Sequence, residues 1–430
     1  MPDFDIAIVG AGAAGLVAAA RAAERADGRR IVLLEKNRKT GAKILMSGGT
    51  RCNLTHDCDA EGILAAFGRP GRFLRQALQE LTPRDTVAMF NRLGVATKVE
   101  ATGKVFPQND RAVEVRDALL ADVLRRGVRL RTEAGVRELH RCADGFRLDT
   151  AAGPLSARRV IVTSGGRSWP GCGTTGDGYG WLERLGHTIE PTRPALVPLT
   201  GGAAWSRQLS GVTLDDVQLG VWQRPEAAGA TAKKARRKAK PECLRRGGFL
   251  FTHQGFSGPA VMDVSRELTI PKGPEQRRLR ADFLPDTSDG QLLDWLTAQR
   301  QRAGGQNVAG LLAQRLPRRL AAELVQQAAG DAAAQPLAGH SDAALRRLVE
   351  SVKRCELHVH GSRGFEKAEV TAGGVRLSEV DPRTMQSRLV PGLYIAGEIL
   401  DLDGWIGGYN FQSAFSTGHV AGSAAGEMEI

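Results

Sequence analysis

The 430-residue chain is poor in aromatic residues, 5% of the total, and its six cysteines form no Cys-x-x-Cys pair. Cysteines scattered at positions 52, 58, 142, 172, 243 and 355 exclude a disulfide framework and point to a reduced, intracellular protein. No run of about 18 apolar residues is present to cross a bilayer. The apolar stretch near the N-terminus lacks a preceding basic segment, so we expect no signal peptide, no membrane partner and a cytoplasmic location. Solenoid-type repeats are missing, and no Ser/His/Asp pattern supports a hydrolase. Cys355-x-x-His358-x-His360 looks like a metal cluster, but its histidines alternate on a strand-like segment with no fourth ligand, so no metal is expected.

What is abundant is glycine and positive charge. Fifty-two glycines suit a fold that brings backbone close to a ligand in several places. At this length two or three domains are expected. The formal net charge is +12. Half of that surplus lies in one run, ATAKKARRKAKPE at 230–242, which carries Lys233, Lys234, Arg236, Arg237, Lys238 and Lys240. Such a run is either a solvated loop or a phosphate-holding element for RNA. Without an aromatic side chain it positions a strand but does not read bases.

The first forty residues define a cofactor site. Asp5-Ile-Ala-Ile-Val is a short apolar strand that enters Gly10-Ala-Gly12-Ala-Ala-Gly15, followed by an Ala-rich helix over 13–26. A second strand, Ile31 to Leu34, ends in Glu35, twenty residues after Gly15. This is the dinucleotide-binding fingerprint in its required context. Gly10 makes the tight turn, Gly12 admits the pyrophosphate, Gly15 packs helix on strand, and Glu35 reaches a ribose hydroxyl.

Further on, GAKILMSGGTRCN at 41–53 reads either as a surface turn or as a loop laid along a flavin ring. In the second case Gly48 and Gly49 give close approach, Arg51 neutralises reduced flavin, and Asn53 hydrogen-bonds the ring or the ribityl chain. Pro391-Gly-Leu-Tyr-Ile-Ala-Gly397-Glu398 is a strand ending in Gly-Glu, with a loop and helix after it. That arrangement suits the ribityl chain and the electron-accepting end of FAD, so the two ends of the chain converge on one long cofactor.

The motifs SGGTRCN (47–53), TGKVFP (102–107), TSGGRSWPGCGTTGDGY (163–179), GGFLFTHQGFSGPAV (247–261), TAGGV (371–375) and AGEILDLDGWIGGYN (396–410) occur in the order seen in the BaiN-like or YhiN-type bacterial flavoproteins. These are also described as aminoacetone-oxidase-like or NAD(P)/FAD-dependent oxidoreductases. The chain resembles that family from end to end. Thr50 departs from it, standing where a third glycine is usual. The resemblance implies an α/β fold with non-covalent FAD: a glutathione-reductase-type Rossmann domain interrupted by a β-barrel-like part and a small helical part. Boundaries are expected at 1–192 with 365–430 for the FAD domain, 193–288 with 353–364 for the β-rich part, and 289–352 for the helices.

Cofactor contacts are accordingly expected from Gly10, Gly12, Ala13, Ala14, Gly15, Glu35, Lys36, Lys43, Gly48, Gly49, Arg51, Cys52, Asn53, Val136, Ser164, Gly165, Gly166, Gly397, Glu398, Asp403, Gly408, Tyr409 and Asn410. Cys52 is a candidate general acid, with Tyr409 and Lys104 ranked below it. His253 in FTHQG lines a substrate cleft or holds a turn. NAD(P)H is expected as a transient electron donor, since no second nucleotide fingerprint is present. The family resemblance brings three chemistries: reduction of a uridine in ribosomal RNA, reduction of a small enone, and oxidation of a small amine. A non-catalytic flavin-binding RNA protein is the remaining alternative. The basic run favours RNA.

Overall fold

The computed structural model describes residues 1–26, 28–224 and 240–427. Two compact units form, one from Met1–Pro194 with Phe365–Ile430 and one from Ala195–Gly364.

The first unit is built on a seven-stranded mixed sheet. Its central strand Phe4–Val9 lies between Ile31–Leu34 and Gly153–Val162, parallel to both, with Ile6 opposite Ile31 and Ile8 opposite Ile161. Arg129–Arg131 extends the parallel side, and Leu393–Ile395 pairs parallel with the far end of Gly153–Val162. Gly145–Thr150 and Val136–Cys142 form an antiparallel meander on the other side. Ile31–Leu34 is buried along its whole length, as parallel strands covered on both faces require. The helices Ala13–Arg25 and Tyr409–Glu427 pack against each other through small residues. A separate three-stranded sheet joins Thr55–His56, Lys104–Pro107 and Thr97–Val99. The Rossmann-type α/β fold expected from the fingerprint is therefore present.

The second unit holds a seven-stranded antiparallel sheet ordered Cys355–Leu357, Arg277–Asp282, Thr213–Gln223, Cys243–Thr252, Gly255–Ser257, Leu199–Gly201, Val359–Ser362. Its two outermost strands, Cys355–Leu357 and Val359–Ser362, are joined by the single residue His358. A sheet whose edges are that close in sequence must roll up on itself, which gives it its barrel-like form. The helices Asp289–Ala303, Val308–Leu312, Arg318–Ala329 and Asp342–Lys353 share one apolar core with these strands, in which Leu292, Leu324 and Leu348 belong to the same cluster as Phe249 and Phe283. Ser288 and Gln291 form a reciprocal cap that fixes where the first of those helices starts.

Of the basic run, Lys233, Lys234, Arg236, Arg237 and Lys238 lie outside the described residues, while Lys240 is exposed ahead of the strand Cys243–Thr252. The run falls between two strands paired as an antiparallel hairpin, with Val221 opposite Cys243. Among the described residues no helix is long and apolar enough to cross a membrane.

Candidate functional site

The glycine turn sorts its three positions by what surrounds them. Gly10 has φ +102°, and a Cβ on it would stand 2.6 Å from the Thr163 carbonyl oxygen. At Gly15 a Cβ would lie 1.8 Å from the Gly10 carbonyl oxygen. Gly12, by contrast, has nothing within 4 Å of that point. Two glycines are sealed against protein and one faces open space, which is the arrangement a ligand approaching the backbone requires. The helix behind it begins at Ala13 with no side-chain cap, so its first N–H groups remain available to an anion. Thr163 hydroxyl donates to the Val9 or Gly10 carbonyl, each 2.9 Å away, and so pins the turn.

Glu35 is buried behind this turn. Ala11 N–H donates to one of its oxygens at 3.0 Å and Asn37 N–H to the other at 2.9 Å. Burial pushes its carboxyl up from the ordinary range against the pull of those backbone donors. The stretch Ala134–Val136 runs beside it, since Ala134 N–H donates to the Glu35 carbonyl and a Cβ on Gly135 would lie 2.8 Å from the Lys36 Cβ. Lys36 itself reaches Asp177 and Thr175, each at 2.7 Å.

Four motifs distant in sequence meet at Glu398. Lys43 Nζ donates to one carboxylate oxygen at 2.5 Å, and Ser168 hydroxyl and Thr371 N–H donate to the other at 2.6 and 3.0 Å. Lys43 also donates to Ser168 Oγ at 2.6 Å. Glu369 is raised by burial near the same lysine. Gly166 belongs to this cluster, because a Cβ there would come 2.4 Å from Thr371 Oγ1. Ser168 and Thr371 were not singled out as site residues. Both lie inside glycine-rich motifs, which was the available signal.

The two helices that carry the site run parallel. Gly418, Gly422 and Gly426 face Ala14, Ala18 and Ala22 in step, with a Cβ at Gly418 or Gly422 only 2.4 Å from the facing carbonyl oxygen. In that register the helix Tyr409–Glu427 starts eight residues, about 12 Å, ahead of Ala13. One helix N-terminus therefore stands at the glycine turn and the other a long cofactor's reach beyond it. Gly397 lies between, with a Cβ position 2.8 Å from that of Ala14 and its N–H donating to Thr417 Oγ1.

The loop 47–53 adopts the strained path its glycines allow. Gly48, Gly49 and Thr50 have φ of +55°, +67° and +69°, and Cys52 has φ +61°. Thr50 thus takes the left-handed conformation without being glycine. Asn53 lies between this loop and Gly408, where a Cβ would be 2.8 Å from its Oδ1.

Three of the residues expected at the site are engaged by the protein itself. Arg51 was expected to neutralise reduced flavin, but its guanidinium already meets Glu100 at 2.6 Å and Asp110 at 3.4 Å and lies over the Phe106 ring. Cys52 was expected as a general acid, but its side chain is fully buried and burial pushes the thiol up to about 12. Asn410 was expected to touch the cofactor, but its side chain closes the 404–405 loop, accepting from Gly404 N–H and donating to the Gly404 and Trp405 carbonyls. Tyr409 stacks on His56 at 4.7 Å between ring centres and 19° between planes. Asp403 and Gly165 sit in the adjoining loops, Asp403 buried and Gly165 at φ +75°. His56 went unnoticed, because a lone histidine after the RCN motif carries no sequence signal.

These residues fit FAD. Five buried side-chain oxygens among the described residues lack a hydrogen-bond partner, and four of them, on Thr40, Asn53, Ser164 and Tyr179, lie on these segments. Buried oxygens of this kind are costly unless a ligand or water completes them. Gly12 and the free helix start would hold the pyrophosphate, Glu35 the ribose end, and Asn53 with Gly408 the ring end.

Residues 4–424 match the family described as the HI0933-like protein Rossmann domain. The chain is 33% identical over 425 residues to a ribosomal RNA dihydrouridine synthase of Escherichia coli, covering 97% of this chain and 96% of that one. It is 32% identical over 424 residues to a 3-dehydro-bile acid Δ4,6-reductase of Clostridium scindens, covering 98% and 99%. Among solved structures, a 3-ketosteroid-Δ4-(5α)-dehydrogenase from Rhodococcus jostii aligns at a TM-score of 0.49 with 14% identity, over 100% of this chain and 98% of that one. The chain belongs to the HI0933-like family, the one its BaiN- and YhiN-type motifs indicate, and is an FAD-dependent oxidoreductase.

Proposed function

We propose that this protein reduces the C5=C6 bond of a uridine in ribosomal RNA, with NAD(P)H as electron donor. The observation that carries this reading is the end-to-end similarity to a ribosomal RNA dihydrouridine synthase. The +12 charge supports it, since a polyanionic substrate gains from such a surplus. A second relative is named as a bile acid reductase, which favours a small enone as the other substrate class. Both activities saturate a C=C conjugated to a carbonyl.

When bound, FAD supplies two-electron chemistry, taking hydride from NAD(P)H and giving it to the β-carbon, C6 of the uracil. The protein then has to deliver one proton to the α-carbon, C5. We assign this to His56. Its Nδ1 lies 3.1 Å from the Gly407 carbonyl oxygen. A carbonyl only accepts, so Nδ1 carries the hydrogen and Nε2 is the nitrogen that gains or loses a proton. Stacking on Tyr409, the first residue of the helix Tyr409–Glu427, fixes the ring at that helix's N-terminal end. Cys52, buried and raised, has the wrong environment for the role.

Mass spectrometry of ribosomal RNA from cells with and without the gene tests the substrate. A two-hydrogen gain on one uridine, present only with the gene, is expected; its absence together with turnover of a small enone would assign the second class. His56→Gln should leave flavin reduction by NAD(P)H intact and slow product formation by about 10²-fold or more.

A further inference from the structure

The unit Ala195–Gly364 contains a hollow of about 330 Å³ lined by residues of that unit alone. This is the small end of the range that ligand sites occupy, about 300–1,000 Å³. Three chain segments are tied together to make it. The strand Leu199–Gly201 lies between Gly255–Ser257 and Val359–Ser362. Gly201 N–H donates to the Gln254 carbonyl at 2.9 Å, which holds the His253–Gln254 turn at one side. Gly202 N–H donates to the His358 carbonyl at 2.7 Å, which holds the strand of His360 at the other. Arg207 comes from the helix Ala204–Gln208 immediately after Gly202.

The lining is chemically one-sided. It offers the Arg207 guanidinium, the His253 and His360 imidazoles, the Gln254 carboxamide and the Thr200 hydroxyl, with no carboxylate. Arg207, His253 and His360 are exposed, and none has an ion-pair partner among the described residues. In the same unit Arg246, Arg277, Arg300 and Arg354 are each held by a carboxylate. A guanidinium and two imidazoles converging without a counter-charge form a site for an anion. Guanidinium geometry favours the oxygens of phosphate, and imidazole N–H groups donate to the same oxygens.

We propose that this hollow binds a phosphate of the RNA substrate and anchors the strand on the inserted unit. The inference rests on the RNA reading above. It requires no ordered contact from the basic run, whose contribution would be added to that of the hollow.

The test uses the full-length, FAD-loaded protein and the triple variant Arg207→Gln, His253→Gln, His360→Gln. All three side chains are exposed, so the fold and FAD content should be retained, and equal FAD absorbance per chain checks this. Binding of a fluorescent single-stranded fragment of ribosomal RNA is measured across a salt series. The expected result is an affinity loss of about tenfold or more and a salt slope smaller by about one phosphate-equivalent. NADH and NADPH should reduce the flavin of both proteins at equal rates. Unchanged RNA affinity and salt slope would overturn the proposal while leaving the RNA reading standing. Slower reduction by NADPH alone, with RNA binding intact, would also overturn it and assign the hollow to the nucleotide's 2′-phosphate. If the wild-type protein binds no RNA, this inference and the RNA reading fail together. Arg207→Lys should restore part of the affinity, because a point charge replaces some but not all of the fork's contacts.

Discussion

Gly418 lies against Ala14 with no room for a side chain: a Cβ there would stand 2.4 Å from the Ala14 carbonyl oxygen. This contact holds the two site helices backbone to backbone and sets how far one N-terminus precedes the other. Gly418→Ala should push them apart, at a cost of about 1–3 kcal/mol from overpacking. A lower denaturant midpoint and weaker FAD retention are expected together. Gly12→Asp makes the opposite comparison. With open space around Gly12, the apoprotein should keep its stability, while the added carboxylate excludes the pyrophosphate and abolishes FAD binding. Calorimetry of the two apoproteins beside FAD titration separates the effects.

Thr50 stands at φ +69°, where a β-branched residue is strained. The left-handed conformation costs an L-residue about 1–2 kcal/mol, whereas glycine gives back about 0.5–1 kcal/mol in chain entropy. Thr50→Gly should therefore raise stability slightly, by up to about 1 kcal/mol, without changing FAD content. Urea unfolding of wild type and variant measures it. The Thr50 hydroxyl donates to the Gly49 carbonyl at 2.6 Å, so a clear loss of stability would mean that this bond outweighs the strain.

Local backbone geometry was the legible part of this protein. A strand, a turn with glycines at 10, 12 and 15, and an acidic residue twenty positions later are all set by neighbours in sequence, so they can be read there. The strand ending in Gly397-Glu398 is legible for the same reason. Partner choice is a tertiary matter and was not. Lys43 and Glu398 meet across 355 positions, and Arg51 finds Glu100 and Asp110 only because the strand Lys104–Pro107 folds back beside it. The sequence places Arg51 two residues after a glycine pair and says nothing of the carboxylates that engage it. His56 became visible only once its ring was seen stacked on Tyr409, a residue from the other end of the chain.

His419, on the helix Tyr409–Glu427, is pulled down to about 4, first by burial and then by Arg21 and Arg25. A histidine depressed in the fold is held neutral, so its contribution to stability is complete above the unfolded value of about 6.5. It is lost as pH falls from there through about 4, because the unfolded chain binds the proton first. His419→Gln should remove this component. The variant's stability should fall less steeply than wild type between pH 6.5 and 4, measured as denaturant midpoints at fixed ionic strength. Parallel pH curves for the two proteins would show that the site does not titrate in this window.

Ser164 carries a buried hydroxyl with no hydrogen-bond partner among the described residues, just beyond the strand Gly153–Val162 and beside the glycine turn. A Cβ on Gly10 would lie 3.1 Å from the Ser164 Cα, so the two segments touch. An unpartnered buried hydroxyl destabilises the apoprotein, and removing it costs the fold nothing. Ser164→Ala should accordingly leave the apoprotein as stable as wild type or more stable by about 1 kcal/mol. If FAD completes that hydroxyl, the variant loses one hydrogen bond of about 0.5–1.5 kcal/mol on binding, and its dissociation constant for FAD should rise about 2- to 13-fold. Melting of the apoprotein and fluorescence titration with FAD measure the two halves independently. A stabilised apoprotein with weakened FAD affinity identifies Ser164 as a cofactor ligand; a destabilised apoprotein with unchanged FAD affinity removes it from the site.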